Sequence, residues 1–187
     1  MGARIGVTIL QPIAGTATAP GAGLRLRRPT LLTWSNRPAM SGHNPPDRVA
    51  EILRAQRTAM IDVIARRIHQ EIPDYHNVPL PTVTERFTAI VDAMIASLTA
   101  YDPTHLTQVL EHTGRQRIVQ GYGIDALLTA ADIVEQTMGP VLTRELADDP
   151  DLQAGTLRRL TSLVRTARHI LSRINLDEVV KQGPKKG

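Results

Sequence analysis

Two arginines stand beside a glycine turn in this chain. The stretch reads Gly114-Arg115-Gln116-Arg117-Ile118-Val119-Gln120-Gly121-Tyr122-Gly123. Guanidinium forks match carboxylates and phosphates, so Arg115, Arg117 and Tyr122 form a candidate anion or ligand corner. The same arginines could instead pair with an acid such as Asp125 or Asp132 and hold a helix end in place. A phosphate-gripping glycine loop needs a following Lys-Ser/Thr, which this turn lacks. The histidines do not converge. His105 and His112 are seven apart, with Glu111 beside the second, and His69 has Glu71, Asp74 and His76 only in a neighbouring segment. Helical metal sites use ligands three or four apart, so no metal ligand is assigned. There is no cysteine, hence no disulfide, no thiol nucleophile and no soft zinc ligand. No Gly-x-Ser-x-Gly elbow is present. The chain is therefore read as a non-enzyme, with no catalytic residue and no cofactor.

These residues must be positioned by helices. Asn44-Pro45-Pro46-Asp47 opens the first, with Asn44 as cap and proline in the first turn. Val49, Ile52, Leu53, Met60, Ile64 and Ile68 follow helical spacing along it. Ile72-Pro73-Asp74-Tyr75 ends it, because proline breaks the ladder and disfavours helix before it. Val78-Pro79-Leu80-Pro81 reads as an extended connection. Thr82-Val83-Thr84-Glu85 then reads as a capping box that opens a well-buried second helix. Asp102-Pro103 separates the second helix from the third. Gly121 and Gly123 stop the third, since glycine tolerates the left-handed conformation of a helix end. A fourth helix starts near Asp125. Gly139-Pro140 inside it predicts a kink or a split. Asp148-Asp149-Pro150-Asp151 opens the fifth, with Asn175 as a candidate interruption. No strand-period run and no solenoid repeat occurs.

Composition narrows the class. The 187 residues carry 22 Lys and Arg against 18 Asp and Glu. Five of those arginines lie in residues 1–39, which contain no acid. From residue 40 onward the balance is 17 basic to 18 acidic, so no nucleic-acid footprint is implied there. No run of ~18 apolar residues exists to cross a membrane. The leader is rich in Gly, Ala, Thr, Pro and Arg and cannot bury enough apolar surface to offset its ordering entropy. It reads as disordered, or as sequence upstream of a natural start at Met40-Ser41-Gly42.

Three features occur in order. They are Ile72-Pro73-Asp74-Tyr75, then Gly114-Arg115-Gln116-Arg117 with Gln120-Gly121, then Asp125-Ala126-Leu127-Leu128 entering a helix. Together, over about residues 46–175, they resemble the N-terminal sensor domain of RsbR-type stressosome proteins, a domain also found ahead of PucR-like regulators. The resemblance implies an all-α, globin-like bundle of about five main helices that binds no haem and forms homodimers. It implies a cytoplasmic regulatory module joined to an output: a STAS domain controlling a kinase, or a DNA-binding helix-turn-helix. The expected organisation is a leader over 1–43, the sensor domain over 44–176 and a short helix or tail over 177–187. Little chain follows residue 180, so a stand-alone domain acting through a kinase, STAS-domain or transcription-regulator partner is expected. Globin-type sensors resemble a pattern of histidine three residues before a glycine. Here that histidine's place before Gly121 is held by Arg117, and guanidinium has no lone pair for iron. A haem- or small-ligand-binding globin-like protein, and a nucleic-acid binder using the basic leader, remain the alternatives. The fifth helix carries surplus leucines flanked by arginines. Leu160, Leu163, Ile170 and Leu171 are candidates for a dimer seam, with packing onto the domain's own core as the other reading.

Overall fold

A computed structural model describes residues 45–182. The leader, the Asn44 cap and the last five residues lie outside them. Five α-helices follow one another: α1 (Pro45–Glu71), α2 (Leu80–Ala100), α3 (Thr104–Val119), α4 (Ile124–Glu145) and α5 (Pro150–Gln182). A single 3-10 turn, Pro73–Tyr75, stands between α1 and α2. Among the described residues there is no strand. The protein is an all-α bundle. No helix of the described residues is long and apolar enough to cross a membrane.

The packing order explains the sequence pattern. α2 packs against α1, α3 and α5, while α4 packs on α1 and α5. Leu53, Ile64 and Ile68 of α1, Val83 and Val91 of α2, and Met138 and Leu142 of α4 are fully buried in one core. Ion pairs join the helices outside that core. Arg57 grips Asp92 with two bonds of 2.5 and 2.7 Å, tying α1 to α2. Arg168 of α5 bonds Asp132 of α4, and Arg173 of α5 bonds Glu111 of α3.

Helix ends follow the turn residues, with departures from the sequence reading in α2 and α5. α2 begins at Leu80, before the expected capping box, and no side chain caps it. The carbonyl of Pro79 accepts the Thr82 and Val83 amides instead. Pro81 falls in the first turn, where its missing N–H loses nothing. Of the kink or split expected in α4, the split does not occur: Pro140 lies inside one continuous helix. Pro140 and Gln136 both face solvent, so the carbonyl that loses its partner can be met by water. α5 is not interrupted at Asn175; fully buried Ile174 anchors that turn and the helix runs on to Gln182. The expected acidic start of α5 is present, with the Leu152 amide donating to Asp149 Oδ1 at 3.0 Å. α2 ends at Tyr101, which takes a left-handed φ of 61°. Arg159 of α5 stacks 3.4 Å above its ring, a cation–π contact that offsets the strain.

The expected seam residues are covered by their own chain. Leu160, Leu163, Ile170 and Leu171 are 1, 8, 4 and 5 % exposed. Two of the arginines beside them are paired to α3 and α4. The surplus leucines of α5 are surplus only for one stripe; α5 lies between α3 and α4 and fills the space between both.

Candidate functional site

The corner between α3 and α4 is built from backbone. Gly121 takes φ 90°. Its amide donates to the Ile118 carbonyl and the Tyr122 amide to the Arg117 carbonyl, both at 3.0 Å. That pair of bonds is a Schellman motif, which satisfies the last carbonyls of α3 and places the two residues flanking it side by side. Those residues are Arg117 and Tyr122, and the Arg117 guanidinium sits 5.8 Å from the Tyr122 ring centre. Gly123 does not stop α3. It is the extended N-cap residue of α4, and its amide donates to Asp74 Oδ2 at 2.9 Å.

The first of the ordered sequence features therefore meets the turn that follows the second. Asp74 of the 3-10 turn caps α4, and its neighbour Tyr75 stacks against Tyr122 at 4.9 Å and edge-on to Phe87 at 5.9 Å. Three of the chain's five aromatic residues meet at this one place. Tyr75 is 1 % exposed, and burial pushes its phenol up to about 12.

A cavity of about 420 Å³ opens beside this cluster. Its inner wall is aliphatic: Met94, Leu106, Leu110, Val134, Val164 and Leu171, all buried. Its polar groups gather at one end, where Glu85, Arg86, His112, Gln116 and Arg117 line it. Arg86 Nη1 donates to the Tyr122 hydroxyl at 3.0 Å, so both arginines attach to one phenol. Arg117 also bonds the Gln120 side chain. Burial first, and the adjacent Arg86 charge second, hold the Arg117 guanidinium below its ordinary value. Neither arginine has a carboxylate partner among the described residues.

Of the proposed corner, the structure brings Arg117 and Tyr122 together and sends Arg115 elsewhere. Arg115 lies 3.6 Å from Glu178 of α5. Asp132, offered as a partner for these arginines, pairs with Arg168. Sequence reading missed Arg86 and Tyr75. Arg86 carried a signal, being the single cation in α2. His112 is exposed and bonded to Gln116 at 3.0 Å, and among the described residues it is the one imidazole lining the cavity. No group of three His, Asp or Glu able to hold a metal occurs among the described residues. Gly114 allows α3 to approach α5 closely: a Cβ there would lie 2.9 Å from Leu171 Cδ2.

The all-α fold and a family match define the class, a sensor and regulatory domain family. The family model for the RsbT co-antagonist protein rsbRD N-terminal domain matches residues 58–174, well over half of the chain, and the chain belongs to that family. The match begins within α1 and ends in α5. No curated protein and no solved structure matches the chain.

Proposed function

We propose that this protein is a non-enzymatic, non-haem regulatory sensor that works as a cytoplasmic homodimer with a globin-like bundle and signals by protein contact. The partner is a kinase, a STAS-domain protein or a transcription regulator. The cavity between α2, α3, α4 and α5 is the sensing site. The observation that carries this reading is the cavity itself: an aliphatic interior lined also by two arginines with no carboxylate partner among the described residues. Structural cores of this size are normally filled. A ligand there would bear on four helices at once. It changes output only if it binds two packings of those helices with different affinity.

The test uses full-length protein and a cavity-filling variant, Ala131→Phe. Ala131 lines the cavity from α4 and is half-buried. Both proteins are tagged, purified from the native cells, and their co-purifying partners quantified. The expected result is a kinase, STAS-domain or transcription-regulator partner whose recovery differs between the two. A partner recovered equally from both, or none from either, would contradict the reading. A Soret band in the purified parent protein would overturn its non-haem part.

A further inference from the structure

We propose that the cavity takes a single-chain amphipathic carboxylate, with its hydrocarbon tail among the aliphatic side chains and its head on Arg86, Arg117 and Tyr75. This rests on the sensor reading above and adds the chemical class of the ligand.

The tail follows from what the inner wall lacks. Met94, Leu106, Val134, Val164, Ala167 and Leu171 offer no hydrogen-bond donor or acceptor from a side chain. Thr113, which lines the cavity nearer the polar end, already gives its hydroxyl to the Val109 carbonyl at 2.7 Å. A polar ligand group carried inward would stay unpaired and be penalised. A hydrocarbon would not. The volume of about 420 Å³ sits near the small end of small-molecule sites, which run from roughly 300 to 1,000 Å³. One short chain fits; a two-chain lipid does not.

The head follows from charge. Two guanidinium groups face one carboxylate, Glu85, along the cavity lining. The excess is a single positive charge, which matches a monoanion. Tyr122 does not line the cavity but steadies the head site, its oxygen accepting from Arg86 Nη1 at 3.0 Å. Tyr75 supplies a phenol to the site; it lines the cavity, and its hydroxyl makes no hydrogen bond to another described residue. Burial keeps that phenol protonated, hence a donor, up to about pH 12. Donors to an anion in a low-dielectric site are the stronger hydrogen bonds.

The experiment is calorimetric titration of the full-length protein with decanoate, decanol and acetate, each below any micelle concentration. Decanoate should bind one per chain, decanol at least about tenfold more weakly, the loss of one charge-assisted contact, and acetate not measurably. Arg86→Gln combined with Arg117→Gln should remove the preference for decanoate and leave decanol binding as it was. Equal affinity of the parent for decanoate and decanol would refute the head site. Equal affinity for acetate and decanoate would refute the tail site. Absence of decanoate binding would refute both, and none of these comparisons depends on a variant folding. If decanoate fails while the partner difference with Ala131→Phe persists, the ligand class falls and the sensor reading stands. If decanoate binds and no partner difference exists, the sensor reading falls and the site stands.

Discussion

Tyr75 shows how much one buried phenol can decide. Its ring joins the 3-10 turn to α2 and to the α3–α4 corner. Burial raises its folded pKa to about 12, against about 10 in an unfolded chain. A raised folded value means that the stabilising contribution is complete below about pH 10 and is lost as pH climbs through the folded value. Two units correspond to about 2–3 kcal/mol. Tyr75→Phe keeps the ring and removes the titration. Urea unfolding between roughly pH 9 and pH 12 should therefore decline more steeply in the parent than in the variant. Parallel declines would show that another group carries the alkaline loss. Gly121 is decided by backbone alone. A Cβ there would meet nothing within 4 Å, yet φ is 90°, a region that costs an L-residue about 1–2 kcal/mol. Gly121→Ala should lose about that much in chemical denaturation, and an unchanged midpoint would contradict the left-handed geometry.

At the scale of elements, helix ends were readable where proline, glycine and aspartate punctuate the chain, as at Asp102-Pro103 and Asp149-Pro150. The α2 start was not. A capping box needs its threonine outside the helix, but the Pro79 carbonyl accepts the Thr82 and Val83 amides and holds both residues inside the first turn. The anion corner was half legible for a geometric reason. Arg115 and Arg117 are two residues apart, about 200° around a helix, so they face opposite sides. One meets Glu178 and the other the cavity. Arg86 stands 36 residues from Tyr122 in sequence, and no local pattern announces such a contact. The Arg57–Asp92 clamp between α1 and α2 gives an element-level prediction. The bond to Arg57 holds the Asp92 carboxyl below its ordinary value. A depressed folded pKa gives stability that is present above the unfolded value, about 4, and is lost as pH falls through the folded one. Asp92→Asn should be less stable than the parent at neutral pH, and the difference should shrink as pH drops below about 4. A difference that stays constant into acid would mean that the clamp does not act through the Asp92 charge.

For the whole molecule, the same leucines support two pictures, a seam between copies and packing within one chain. Periodicity places Leu160, Leu163, Ile170 and Leu171 on α5 but does not say how many neighbours α5 has. It packs against α3 and α4 on different sides, and four residues that look like a seam are interior. A charged substitution there is therefore a test of folding before it is a test of dimerisation. Leu163→Asp with Ile170→Asp places two carboxylates in the core without partners. Each substitution should cost at least about 3 kcal/mol, against a total stability of about 5–15 kcal/mol for a domain. The double variant should lose its helical circular dichroism signal, or melt many degrees lower, at any protein concentration. The alternative is a folded, well-ordered protein of half the parent's mass by light scattering. That result would return these residues to a seam between copies. Its absence leaves the proposed homodimer to surfaces that α5 does not bury.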